Sequence, residues 1–161
     1  MNFDPLTFSE ATITDSNATS YDPIPVGYYP AHIENQEIKT GTKTDQDTGE
    51  IKPWARLVVT WNIEAPEIAE QLSKKKLLCR QSFFLKLNDQ NTLATGKGIN
   101  IDLGQLREAV GLNKKGEAFS FPMLVGRHAQ VKVAHRTFDG KLIDEVVAVT
   151  ALPGSNLSDF S

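Results

Sequence analysis

Cysteine is almost absent from this chain of 161 residues: Cys79 stands alone, which excludes an internal disulfide and any zinc site built from several thiolates. Long apolar runs are missing as well, and no stretch approaches the roughly 18 apolar residues of a membrane-spanning helix. The opening Met1-Asn-Phe-Asp-Pro-Leu6 has neither the basic start nor the apolar stretch of a secretory signal. These absences lead to the expectation of a reducing, cytoplasmic setting and no membrane partner. Catalytic signatures are lacking too. No serine occupies a nucleophile elbow, no Glu–Asp pair suits an inner groove, and His32, His128, His135 and Cys79 show no metal-ligand spacing. Thr95-Gly96-Lys97-Gly98 falls short of a phosphate loop, because Gly follows the lysine and Asn stands at 91 in place of the first glycine. The expectation is a non-enzymatic protein with no cofactor and no metal.

What remains is an ordinary globular composition, 40% apolar and 23% charged, enough for one domain with a real core. The net charge of −3 is unevenly spread. Residues 1–25 and 153–161 hold five of the twenty acidic residues and none of the seventeen basic ones, which leaves 26–152 at +2. The cations bunch at Lys74-Lys75-Lys76 with Arg80, at Lys114-Lys115, and from Arg127 to Arg136. Acidic ends around a mildly basic body are compatible with a polyanionic partner, as well as with a plain solvated surface.

The clearest element is Trp54–Ile63. Its odd positions, Ala55, Leu57, Val59, Trp61 and Ile63, form an apolar row, as expected of a strand with one face on a core. Its even positions, Trp54, Arg56, Val58, Thr60 and Asn62, put an aromatic and a cation on the other face. Before it, residues 1–25 read as an N-terminal tail, flexible or lying on the surface, closed by Asp22-Pro-Ile-Pro-Val-Gly27. Tyr28–Lys39 reads as the first strand, and the polar stretch 40–53, with two glycines, as a long connection. A helical turn is expected over Glu67–Leu72. Lys76–Leu87 is the third strand, with Leu77, Cys79, Phe83, Leu85 and Leu87 inward, Gln81 the polar exception, and Arg80, Ser82, Phe84 and Lys86 outward. The helix is Asp102–Val110, ended by Gly111. A short helical turn is expected near Pro122. Arg127–Arg136 and Leu142–Leu152 are the last two strands, joined by a hairpin around Asp139-Gly140.

Three strands, a helix and two further strands form the element order of an oligonucleotide-binding barrel, mainly β and five-stranded, with one helix between strands three and four. On this reading 26–152 is the domain and 153–161 a short C-terminal tail. That fold takes ligands on the outer face of strands two and three, flanked by the 1–2 and 4–5 loops. Single-strand binders need cations for phosphates and exposed aromatic faces for bases. Trp54 and Phe84 are the candidate stacking residues. Arg56, Arg80, Lys86, Lys132 and Arg136 are candidate phosphate or base contacts, with Lys39, Lys43 and Lys52 contributed by the 1–2 connection. The structural alternatives are that Phe84 is capped by a loop or the tail and that Trp54 is a strand-end core residue. Trp61 belongs in the core by its parity.

Pro23-Ile-Pro-Val-Gly-Tyr-Tyr-Pro-Ala-His-Ile-Glu34, Glu37-Ile-Lys-Thr-Gly41, Gln105-Leu-Arg-Glu-Ala-Val-Gly111, Leu124-Val-Gly126 and Val131-Lys-Val133 together resemble a family of small phage and prophage proteins. Met1-Asn-Phe-Asp4 and Pro153 extend the resemblance over nearly the whole chain. Members of that family are often described as single-stranded DNA-binding proteins. The resemblance implies a sequence-tolerant protein that coats or protects single-stranded DNA in phage replication or recombination, in the host cytoplasm. It also implies recombination or replication proteins as partners, and leaves oligomerisation open. It supplies no binding residues; those rest on strand parity. Leu157-Ser-Asp-Phe-Ser161 also resembles the acidic, Phe-containing tails through which cellular single-strand binders recruit partners. The rival expectation is a protein-interaction module on the same barrel, such as a phage protein that binds a host factor.

Overall fold

The computed structural model describes residues 4–10 and 22–153. The tail readings for 11–21 and 154–161, including the Phe160 motif, lie outside the described residues. The chain is mainly β: five antiparallel strands form one sheet in the order β3-β2-β1-β4-β5. The strands are β1 (Gly27–Thr44), β2 (Ile51–Ile63), β3 (Leu78–Leu85), β4 (His128–Phe138) and β5 (Lys141–Thr150). Among the described residues three helices accompany them: α1 (Pro5–Glu10), α2 (Pro66–Gln71) and α3 (Ile101–Ala109), the last between β3 and β4 as expected. A 3-10 turn covers Phe121–Leu124. Among the described residues no hydrogen-bonded ladder joins β3 to β5, so the barrel is not closed, although these two edges approach one another.

The long first strand organises the sheet. Its first part, Gly27–His32, pairs with β4, and Ala31–Thr44 pairs with β2. The ladder shifts between Ile33 and Asn35. This bulge reverses the alternation: Ala31 and Ile33 face the core, but beyond it Gln36, Ile38 and Thr40 share the face of Leu57 and Val59. Odd residues from Asn35 onward therefore point outward. The stretch 40–53 is not a long loop. Residues 40–44 and 51–53 continue the two strands, and only 45–50 turn, with Gly49 N–H bonded to the Asp45 carbonyl at 2.7 Å.

The core follows the alternation of β2 and β3. Ala55, Leu57, Val59, Trp61 and Ile63 are buried, as are Leu77, Cys79 and Leu85, while Phe83 is half-buried. Gln81, the polar residue in that row, is buried because its Oε1 accepts a hydrogen bond from Trp61 Nε1 at 3.0 Å. Ala129, Val131 and Val133 of β4 and Leu103 and Leu106 of α3 complete the cluster. Helix α3 ends in a Schellman motif: Leu112 N–H reaches the Arg107 carbonyl, Gly111 N–H the Glu108 carbonyl, and Gly111 takes φ +77°. Burial first, and the Asp144 charge second, push the Cys79 thiol up to about 12, so its reactive thiolate is scarce at neutral pH.

Ile24 departs from the expected boundary of the tail. It is a buried core residue, and its backbone is held from both sides. Its N–H donates to Asp144 Oδ2 at 2.7 Å, and its carbonyl accepts from His135 Nε2 at 2.6 Å. The segment from Asp22 is thus part of the domain.

Candidate nucleic-acid interface

The outer faces of β1, β2 and β3 and the β4–β5 hairpin enclose an open groove. Lys39, Arg56, Arg80 and Arg136 all line it, together with Val58, Ser82 and the acidic pair Asp144 and Glu145. Four of the sequence candidates therefore converge from four strands. Lys39 owes its place to the bulge, without which simple alternation from Ile33 would turn it inward. The β4–β5 wall also explains why Val58, on the outer row of β2, is buried.

The charges in the groove are unequally engaged. Arg136 Nε donates to Glu145 Oε2 at 2.9 Å, so that cation is partly matched within the protein. Arg56 Nε is buried and meets no hydrogen-bond partner among the described residues. Lys39 and Arg56 lie directly opposite one another in the β1–β2 ladder, and so do Lys43 and Lys52 further out. Like charges placed opposite each other destabilise a ladder unless an anion offsets them. Among the described residues the ion partner of Lys52 is Glu50, at a loose 3.9 Å.

Between those two cationic pairs sits Trp54, opposite Gly41. A Cβ built on Gly41 would lie 2.6 Å from Trp54 Cζ2, so the glycine gives the indole its seat on the strand. Phe84, opposite Arg56 and 68% exposed, meets Trp54 edge to face with ring centroids 5.9 Å apart. Trp54 is half-buried by these neighbours and is not a core residue. Trp54 thus has a cation pair on either side along the β1–β2 hairpin arm, and Phe84 of β3 stands beside the inner pair. Lys43/Lys52 and Lys39/Arg56 are four residues apart, about 13 Å along a strand.

The remaining candidates sit less centrally. Lys86 lies just past the end of β3; its backbone N–H and carbonyl are both bound by the Asn100 side chain, at 2.7 and 3.0 Å, and Asn100 also donates to the Ala94 carbonyl, which ties the 88–98 loop to the strand end. Lys132 is not brought to the groove. It stands opposite Tyr28 in the β1–β4 ladder, its ammonium 5.7 Å from that ring's centroid. The Lys74–Lys76 run is also elsewhere: Lys76 pairs with Glu34, and Lys74 Nζ donates to the Asp22 carbonyl at 3.2 Å. That contact with Lys76 holds the Glu34 carboxyl below its ordinary range.

Three apolar groove residues, besides the acidic Asp144 and Glu145, escaped the sequence reading. Phe138 is 61% exposed and lies under the Arg136 guanidinium, 5.6 Å from its carbon to the ring centroid. Leu78 and Ile143 join Val58 in the apolar lining. Phe138 stands just before Asp139-Gly140, both with positive φ (51° and 74°), the two-residue turn that an Asp-Gly pair favours. An aromatic beside that turn was the available signal. No family model matches the chain, and no curated protein shows significant similarity to it.

Proposed function

We propose that this chain is a sequence-tolerant single-stranded DNA-binding protein of a bacteriophage, which coats or protects single strands during replication or recombination. The observation that carries the reading is the Trp54–Phe84 pair, with Trp54 between two opposed cation pairs, Lys39/Arg56 and Lys43/Lys52, and Phe84 opposite Arg56, beside the groove of Arg80 and Arg136. Exposed rings offer stacking faces to unpaired bases, and this contact is available to any base. The cations would bind the phosphates and relieve their own mutual repulsion. The phage setting, the choice of DNA, and phage recombination or replication proteins as partners rest on the family resemblance.

Binding of a labelled dT oligomer, followed by fluorescence anisotropy beside a matched duplex, tests the proposal. Phe84→Ala should weaken single-strand binding by about 5- to 150-fold, the equivalent of roughly 1–3 kcal/mol for one lost stack. Its exposure means that the fold should survive the change. Affinity unchanged in both Phe84→Ala and Trp54→Ala, or equal affinity for duplex, would overturn the reading.

A further inference from the structure

Three side chains far apart in sequence meet on another part of the surface. His32 Nδ1 is 3.0 Å from Glu64 Oε1, and His128 Nδ1 is 3.5 Å from the same oxygen. One donor atom from each of the three lies within 4.8 Å of the others, and the two imidazole centroids are 5.5 Å apart. We infer that His32, His128 and Glu64 form a binding site for a single late first-row divalent ion, with zinc(II) as its representative.

The donor set fits that class. Imidazole suits zinc, copper and nickel, whereas magnesium and calcium prefer sites made wholly of oxygen. Ligands about 2.0–2.1 Å from a tetrahedral zinc stand roughly 3.3–3.4 Å from each other, so the observed separations need only small side-chain rotations. A simple ion pair would use one histidine; the second makes a chelate. Two imidazoles and one carboxylate leave the fourth position to water, and the partial exposure of all three residues gives an ion access to it.

The backbone under these ligands is firmly held. His32 and His128 are directly opposed in the β1–β4 ladder. Glu64 N–H donates to the Pro30 carbonyl, and Ile33 N–H donates to the Arg127 carbonyl, both at 2.8 Å. Ligands carried on such a frame need little reorganisation to bind metal. Linear spacing could not reveal the set, because it is assembled from the interior of β1, the residue after β2 and the first residue of β4. The site is seven residues along β1 from Lys39, about 23 Å of strand, and is independent of the nucleic-acid groove.

Calorimetric titration of the full, untagged chain with zinc(II) tests the site. One equivalent should bind, magnesium should not compete, and His32→Gln and His128→Gln should each lower zinc affinity by about tenfold or more. Unchanged melting temperatures in chelator would show that these variants are folded. Copper(II) bound to the unaltered protein provides a readout that needs no variant: its electron paramagnetic resonance spectrum should carry coupling from two imidazole nitrogens. Absence of a one-equivalent zinc site, equal affinity in both folded histidine variants, or a copper spectrum without nitrogen coupling would overturn the inference.

Discussion

Trp61→Ala should destabilise the domain by about 3–5 kcal/mol, read as a lower urea midpoint at unchanged slope. The indole is fully buried in the core cluster that also holds Leu57 and Val59, so its removal leaves a cavity there. It also strands Gln81, whose Oε1 takes the indole N–H. Single domains are stable by only about 5–15 kcal/mol, so this one change removes a large share. Trp61→Phe separates the two effects. It keeps most of the ring volume but leaves the Gln81 amide without that donor, which costs about 1–3 kcal/mol. Adding Gln81→Leu should then recover part of the loss, because an apolar pair needs no hydrogen bond. If Trp61→Phe alone is neutral, the bond to Gln81 contributes nothing to stability.

Raising the salt concentration fourfold, from 50 to 200 mM, should weaken single-strand binding about 50-fold. Single strands release counterions with a slope of about −0.7 per phosphate neutralised, so the four groove cations Lys39, Arg56, Arg80 and Arg136 together give about −2.8. Contacts from Lys43 and Lys52 on the hairpin arm would steepen the dependence. Arg80→Ala should flatten the slope by about 0.7, whereas Lys132→Ala, remote from the groove, should leave it as it is. Anisotropy titrations at several salt concentrations measure both. A slope near zero would remove the groove cations from phosphate binding.

The parts of the fold legible in the sequence are those in which one strand face is covered. Leu57, Val59 and Trp61 alternate with Arg56 and Thr60 because the main core lies on one side only, and the same pressure orders β3 around Phe84. The Asp139-Gly140 turn was legible for a different reason, since few residue pairs adopt its positive φ angles. The outer hairpin arm was not. Thr40–Thr44 and Ile51–Pro53 extend beyond the core, where backbone hydrogen bonds alone define the strand and no apolar alternation marks it. Gly41 has the mark of a loop residue in the sequence, whereas in the fold it is a strand residue seated against the indole of Trp54. The bulge after Ile33 is likewise silent in the sequence, yet it decides that Lys39 faces the groove. Ile24 read as tail because its prolines mark an extended segment, and its anchors, Asp144 and His135, lie more than a hundred residues away.

The tryptophans offer the most direct test of the proposed interface, since one is sealed in the core and the other sits in the candidate site. Intrinsic fluorescence should be followed on titration with a dT oligomer, in the unaltered protein and in Trp54→Phe. Stacking of a base on Trp54 predicts saturable quenching that stops at the signal of Trp61 alone, is reversed by salt, and disappears in Trp54→Phe. Quenching of equal size in Trp54→Phe, or none at low salt, would contradict single-strand binding at Trp54 and Phe84.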